Sequence, residues 1–260
     1  AGGKLVWIGH GTPEHCFQTA VEEGLAGKYG HADTWMLIQW WLQHADALVT
    51  FWPRHAEIWS SLCDKGRIVD CVPLGVDKTF WIPGQSRGKY LGNPSLFSAE
   101  NAHYIKWPLD LVIAWPWVTD EIPDAQLHLI YLPRDQHRWW FPLMNRNGSA
   151  FKSYISPNTF GREDLRNAFC SVDYVTSFVR YGDFNRLTLE AKACGAKVIS
   201  WVGNPYSDYF LNEGDQRIQA QQMIRILKGE VEPRPTEEVP DILDTARSMV
   251  SIYERILSED

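Results

Sequence analysis

The sequence predicts an α/β protein with two doubly wound parallel sheets, of which the first is short. Apolar runs of strand length alternate with helical patterns along most of the 260 residues. This alternation breaks at residues 76–88, where Pro, two Gly and mixed charge indicate a linker. The length is sufficient for two small domains. We therefore expect an N-terminal domain over 1–84 and a second domain over 85–240.

The first segment alternates strands with helices, which is typical of a parallel sheet covered by helices. Its predicted elements are a strand at 4–10, a helix at 33–45, a strand at 47–52, a helix at 54–66 and a strand at 67–75. Three strands make an unusually small sheet for a free-standing domain. We therefore expect the first domain to be either minimal or truncated.

The second segment continues the alternation after the linker. Its predicted strands are 89–93, 126–132, 151–156, 173–178 and 196–201, and its helices are 106–118, 136–147, 162–172, one that carries Glu190, and 216–230. A connector rich in Pro and acidic residues follows at 230–241. We expect the amphipathic helix over 241–260 to pack back toward the N-terminal domain.

Composition excludes several classes of function. The formal net charge of −7 argues against a general binder of polyanions. No apolar run reaches the roughly 18 residues that a membrane span needs. The 5 Cys have no CxxC spacing, which favours reduced thiols and a cytoplasmic protein.

The stretch from Val175 to Trp201 carries the most chemical information. In open α/β sheets, ligands bind outside the carboxyl ends of the strands, and the turn after 173–178 lies there. The next helix offers unpaired backbone N–H groups that suit a phosphate, and Gly182 allows close approach of the backbone. Glu190 follows, where a carboxylate accepts hydrogen bonds from paired hydroxyls. A nucleotide diphosphate would use all of these groups, although an ordinary strand–loop–helix with a solvated Glu fits the pattern too.

Four stretches of the chain carry a resemblance, namely "KLVWIGHGTPEH", "PLGVDKTFWIP", "IKWPLDLVIAW" and "RYGDFNRLTLEAKACGAKVIS". In this order they resemble motifs of the retaining GT-B glycosyltransferases of family 4, also called glycosyl transferases group 1. The first is similar to a strand end of that family's first domain, the second to the motif that closes this domain, the third to a helix of the second domain, and the fourth to the Glu-Ala, small-Cys-Gly signature. The resemblance spans Lys4 to about Asn212. It implies two Rossmann-like domains, the N-terminal one short or truncated.

The resemblance assigns roles to individual residues. Glu190 would hold the ribose hydroxyls, Lys106 would neutralise the diphosphate, and Ser156 would contact the base. Further expected donor contacts are Phe184, Asn185 and Arg186, with Gly92 and Asn93 contributing where the family's Arg is absent.

Two positions concern catalysis and the donor sugar. His10 matches a family His that faces the sugar across the cleft. The family's first Glu is replaced by Gly182, so Asp183 is expected to substitute for it. We assign His10, Asp183 and Glu190 to the catalytic group.

The activity implied is transfer of a hexosyl group from a UDP- or GDP-sugar with retention of configuration, with neither metal nor cofactor. In this family the leaving phosphate helps to deprotonate the acceptor, so no side-chain nucleophile is expected. The acceptor, whether a glycan, a lipid or a modified base, is not identified by the sequence.

Four alternatives stay open. Gly182 and the missing Arg favour a degenerate GT-B domain that binds nucleotide or glycan without transfer. A GT-B-fold epimerase needs acid/base groups that we do not find. The 13 Trp would suit a carbohydrate-binding module, but the α/β alternation opposes it. A phage-type glycosyltransferase acting on DNA bases would make nucleic acid the partner, which the net charge does not favour.

Overall fold

A computed structural model of the chain describes residues 3–9, 31–64, 67, 69–84, 92–98, 109–130, 151–154, 161–179 and 185–258. The strands of this part of the chain are β1 (Val6–Gly9), β2 (Ala47–Thr50), β3 (Val69–Cys71), β4 (Ser95–Ser98), β5 (Gln126–Ile130), β6 (Phe151–Tyr154), β7 (Tyr174–Ser177), β8 (Lys197–Trp201) and β9 (Tyr209–Leu211). Its helices are α1 (His31–His44), α2 (Pro53–Leu62), α3 (Leu109–Glu121), α4 (Arg162–Phe169), α5 (Arg186–Ala193), α6 (Gln216–Leu227) and α7 (Ile242–Ser258).

The chain divides into two compact units. The first comprises Ala1–Asp77 together with Pro240–Asp260, and the second comprises Lys78–Val239. Residues 78–84, which we expected in the first domain, lie in the second unit. The reason is packing, because the ring of Trp81 lies 5.9 Å from that of Phe169 and the Ile82 carbonyl accepts a hydrogen bond from Cys170 Sγ.

The first unit is built on a three-stranded parallel sheet in the order β1-β2-β3. Side chains of β2 alternate between its two faces. Leu48 joins a core cluster with Leu42 and Trp59, from α1 and α2. Val49 joins a second cluster that includes Ile252 of α7. Helices from both ends of the unit therefore cover this small sheet.

The second unit contains a six-stranded sheet in the order β6-β5-β4-β7-β8-β9, and each neighbouring pair is parallel. Counted within the unit, this order is 3-2-1-4-5-6, that of a doubly wound nucleotide-binding sheet. The predicted α/β fold with parallel sheets is therefore confirmed. The order reverses between β4 and β7, and the strands on each side of this switch point are almost wholly buried.

The predicted strand at 89–93 is wrong over its described part. Gly92 has φ 126°, and its N-terminal neighbours lie outside the described residues. The first strand of the second unit is instead β4, which begins directly after Pro94 in a segment that we had interpreted as a loop. Proline donates no ladder hydrogen bond, so it marks the entry to this strand and does not exclude one. The short strand β9 was also missed.

One predicted helix needs only its limits adjusted, and another cannot be compared. Helix α3 runs to Glu121 and passes through Pro116, beyond the predicted end at 118. The predicted helix at 136–147 lies outside the described residues. Among the helices that the structure describes, none combines the length and the apolar character that crossing a bilayer demands.

Candidate functional site

The carboxyl ends of β4 and β7 lie side by side at the switch point of the second sheet, where Phe97 is paired with Val175. Ser98 ends β4 with no exposed surface, and its Oγ has no hydrogen-bond partner among the described residues. A buried polar atom without a partner is rare in a finished core. Ser98 is therefore a polar group of the switch point that sequence reasoning missed, because we had placed it in a loop.

Helix α5 follows β7 and begins at this same edge of the sheet. Its N-cap is Asn185, whose Oδ1 accepts a hydrogen bond from the Leu187 N–H at 3.3 Å. Arg186 is the first helical residue, and half of its side chain is exposed. The predicted residues Asn185 and Arg186 therefore lie at a helix N-terminus, where backbone N–H groups favour an anion.

Glu190 lies one turn further along α5, and its side chain is only 14% exposed. Its Oε1 lies 3.3 Å from Arg186 Nε, across the i,i+4 spacing of the helix. Burial raises the pKa of the Glu190 carboxyl, and the charges of Arg186 and then Arg162 act in the opposite direction. The carboxylate is thus largely desolvated at this edge of the sheet, and its one ion pair among the described residues is with Arg186.

Arg162 is the first residue of α4, following the N-cap Gly161. Its guanidinium carbon lies 4.3 Å from the centre of the Phe80 ring and 5.7 Å from that of Trp81. Arg166, one turn later, lies 5.0 Å from the Phe80 ring centre. Sequence reasoning missed Arg162. The Phe80-Trp81 pair in "PLGVDKTFWIP" could have indicated a cation nearby, but nothing in the sequence says which cation contacts this pair.

A thiol pair lies beyond the C-terminal ends of these two helices. Cys170 caps α4 and Cys194 caps α5. Burial raises the pKa of the Cys194 thiol, which the Arg166 charge opposes. Both cysteines are free thiols.

The structure does not bring Gly92 and Asn93 to this site. They precede β4, at the amino edge of the sheet, whereas Glu190 follows the carboxyl end of β7. The Asn93 N–H donates to the Asp124 carbonyl at 2.8 Å, and a Cβ on Gly92 would lie 2.7 Å from the Cβ of Gln126. Both residues therefore serve the turn that enters β4. Their assignment as donor contacts remains a prediction, and no contact described here supports it.

Five further predicted residues lie outside the described part of the chain, namely His10, Lys106, Ser156, Asp183 and Phe184. Their roles remain predictions. Within the described ranges, no group of three or more His, Cys, Asp and Glu side chains is arranged to hold a metal ion.

Solved structures with the same fold were found by comparison. The chain is similar to a sucrose-phosphate synthase from Thermosynechococcus elongatus, with TM-score 0.78 and 17% identity over 98% of this chain and 68% of that one. It is similar to Anabaena HepE in complex with UDP and glucose, with TM-score 0.65 and 11% identity over 95% of this chain and 71% of that one. It also resembles the pneumococcal O-GlcNAc transferase GtfA in complex with UDP and GlcNAc, with TM-score 0.61 and 11% identity over 85% of this chain.

These similarities establish the architecture. The chain has the GT-B glycosyltransferase fold, as its motifs predicted. It spans only 47% of the GtfA chain, and identities of 11–17% define a fold and nothing finer. No family model matches the sequence, and no curated protein matches it either.

Proposed function

We propose that the protein transfers a hexosyl group from a nucleotide-diphosphate sugar to an acceptor, with retention of configuration, and that its second unit binds the donor. The observation that carries the proposal is Glu190. It is a carboxylate 14% exposed, one turn into the helix that leaves the switch point of a GT-B sheet. Ligands of such sheets bind outside the carboxyl ends of the strands at that point.

The raised pKa of Glu190 supports a binding role over a structural one. Its first cause is burial, which disfavours the charged carboxylate, and the two arginines only reduce that penalty. Ionisable groups in a cleft whose pKa is shifted by burial and by specific charges are candidates for function. A carboxylate in this setting gains most when the hydroxyls of a ribose donate to it, since charge-assisted hydrogen bonds then replace lost hydration.

The other donor groups follow from the start of α5 and from the resemblance. The N–H groups after Asn185 and the half-exposed Arg186 would face the diphosphate, and Lys106 would add a second cation as the leaving group develops charge. Asp183, Phe184 and Ser156 would contact the sugar and the base.

We assign the first unit to the acceptor side. His10, which follows β1 in the sequence, would face the sugar from that unit. The mechanism we propose is front-face attack assisted by the leaving phosphate, without a bound metal and without a covalent intermediate. UDP- and GDP-sugars are the proposed donors, and two of the similar structures contain UDP.

A thermal-unfolding screen tests the donor site directly. The chain is titrated with UDP, GDP, ADP and TDP, and so is Glu190→Gln. Glu213→Gln, an exposed carboxylate elsewhere in the same unit, is the matched control. At about 100 times the dissociation constant, one nucleotide should add about 2.7 kcal/mol to the free energy of unfolding. We expect one base to stabilise the wild type and the control, and Glu190→Gln to lose most of the effect. Equal stabilisation of Glu190→Gln would overturn the site.

A second candidate is a binder of nucleotide or glycan that performs no transfer. Gly182 favours it, because this position lacks the carboxylate that contacts the donor sugar in the family. Hydrolysis of the donor separates the two candidates, since a transferase can slowly transfer the sugar to water and release the nucleotide. Measured release that Glu190→Gln abolishes would support an enzyme, and tight binding without release would support the binder.

A further inference from the structure

The C-terminal helix α7 is apolar on two opposite sides. Its inner side buries Ile252 and Ile256 in a core cluster that includes Val49 of β2. Its outer side exposes Leu243, Val250 and Leu257, whose exposed fractions are 58%, 52% and 64%. A helix on a protein surface normally presents polar side chains to water on that side. A contiguous apolar surface left in water commonly marks an interaction site.

The outer side chains of α7 recur with the spacing of a coiled coil. Three of them are seven residues apart, and two more lie between them at three-residue offsets, which gives the exposed set Leu243, Ala246, Val250, Tyr253 and Leu257. This alternation of three and four residues aligns side chains along one stripe of a helix, where a second helix can pack. We call these five residues the α7 seam.

Contacts near both ends of α7 fix the seam on the outside. Near the start of the helix, the Thr245 hydroxyl donates to the Pro73 carbonyl at 2.6 Å. Near its end, Arg255 Nη1 donates to Asp70 Oδ1 of β3 at 3.0 Å. Both contacts join α7 to β3 or to the segment that follows it, so the helix cannot roll its seam inward without breaking them.

Two opposite charges follow the seam along one edge. Arg247 and Glu254 are both exposed and are seven residues apart. Arg247 Nη1 lies 3.0 Å from Asp244 Oδ1, whereas Glu254 forms no ion pair within the described ranges. When two copies of α7 run antiparallel, the residues of this edge meet each other. Arg247 of each helix then lies beside Glu254 of the other, twice about one twofold axis.

A parallel pair of α7 helices lacks this match. In a parallel coiled coil, the residues of one edge meet those of the opposite edge of the partner helix. For Arg247 and Glu254 these residues are Ile242 and Met249, which carry no charge. Charge complementarity therefore favours the antiparallel arrangement, in which the same surface serves both copies.

We propose that the α7 seam is a dimer interface, in which α7 packs antiparallel against α7 of a second copy of this chain. The register that joins the charges sets Ala246 opposite the partner's Leu257 and Val250 opposite the partner's Tyr253. Small side chains thus face large ones, which fills the space between two helices. The 17 residues of α7 span about 25 Å, so the interface is small and the dimer is reversible. The proposal does not depend on nucleotide binding.

Exchange of the two charges tests the arrangement. Sedimentation equilibrium over a range of concentrations is measured for wild type, for Arg247→Glu, for Glu254→Arg and for an equimolar mixture of these two variants. Each variant alone places like charges together twice, so we expect each to associate about tenfold more weakly than wild type. In the mixture every such contact joins opposite charges, so association should return to that of wild type. This recovery would also show that both variants are folded.

Two further variants test the apolar part of the interface. Val250→Glu should abolish the dimer, because it places a charge in the centre of the seam. Leu37→Glu is the matched control, because Leu37 is 54% exposed on α1, which covers the other face of the sheet. A wild type that stays monomeric at every concentration overturns the proposal. So does a dimer that Leu37→Glu dissociates and Val250→Glu does not, and a mixture that associates no better than either charge variant overturns the antiparallel pairing.

Discussion

Glu190 illustrates how the burial of a single carboxyl can cost stability. Burial raises its pKa, so the folded protein binds a proton at Glu190 more tightly than the unfolded chain does. The free energy of unfolding therefore falls as pH rises from the unfolded to the folded pKa, and the loss persists above that range. Residues kept in spite of such a penalty are commonly functional.

Replacement by Gln removes this pH-dependent penalty. We expect Glu190→Gln to become more stable relative to wild type as pH rises from below the ordinary glutamate pKa of 4.5 to neutrality. Urea unfolding at a series of pH values measures this change in relative stability. If the stability of the variant relative to wild type instead falls as pH rises, the Arg186 ion pair outweighs burial.

Asp208 is a carboxylate of the opposite kind, because its partners are fixed within the fold. Its Oδ2 accepts from the Val198 N–H at 2.7 Å and its Oδ1 from Lys192 Nζ at 2.8 Å, and its side chain is 11% exposed. We expect Asp208→Asn to lower the free energy of unfolding by about 2 kcal/mol, since it leaves the lysine charge half-buried without its partner. Chemical denaturation measures this loss, for which Glu213→Gln, on the exposed surface, is the neutral comparison.

At this scale, sequence could identify Glu190 but not its surroundings. Glu190 belongs to a local signature in which strand, turn and helix follow each other directly. Arg162 and Phe80 are 82 positions apart by number, and their stacking depends on where α4 packs. No local pattern encodes that contact. Ser98 was missed for a related reason, because its strand is short and follows a proline.

Among the elements, α6 shows how a cap and a packing face act together. Asp215 is its N-cap, and the Asp215 carboxylate accepts from the N–H groups of Arg217 at 2.7 Å and Ile218 at 3.4 Å. Met223 and Ile226 of this helix are buried in the main core of the second unit. The cap therefore fixes the start of a helix whose buried side chains form part of the core.

Removal of this cap gives a prediction for the element as a whole. We expect Asp215→Ala to reduce the free energy of unfolding by about 1 kcal/mol, because two helix N–H groups lose their acceptor. Glu213→Ala, two residues earlier and exposed, should leave it nearly unchanged. Equal urea midpoints for the two variants would contradict the capping role.

The elements that sequence located best are those flanked by strong local signals. The switch-point strand β7 and the helix α5 were placed closely, because buried β-branched residues and a Glu-Ala helix follow each other. The strand that begins the second unit was misplaced because Pro94 suggests a loop after it, so the strand was assigned to the residues before this proline. The positive φ of Gly92 and its contact with Gln126 are properties of the sheet, which only the partner strand β5 reveals.

For the whole molecule, Gly75 connects the two ends of the first unit. Its N–H donates to Thr245 Oγ1 at 2.8 Å, and a Cβ at this position would lie 2.6 Å from the Ile242 backbone nitrogen. The neighbouring Val76 N–H donates to the Pro240 carbonyl at 3.1 Å. Only a residue without a side chain permits the start of α7 to approach so closely.

Gly75→Ala should therefore loosen α7 from the first unit. We expect a loss of about 1–3 kcal/mol, which is typical where an extra methyl has no space. Limited proteolysis near residue 240 and urea unfolding together measure it. Gly3→Ala, where nothing lies within 4 Å of the added carbon, should behave as wild type. Resistance of the Gly75 variant to the protease would show that the contact is dispensable.

The two-unit division has a consequence for synthesis on the ribosome. The second unit is one continuous stretch, Lys78–Val239, inserted between the two pieces of the first. A core cluster of the first unit includes Ile252 and Ile256, which are translated after the whole of the second unit. Domains fold largely as units during elongation at about 5–20 residues per second. The nascent chain therefore completes its second unit before α7 can pack on β1, β2 and β3, and a chaperone that shields exposed strands would be needed mainly for these three strands.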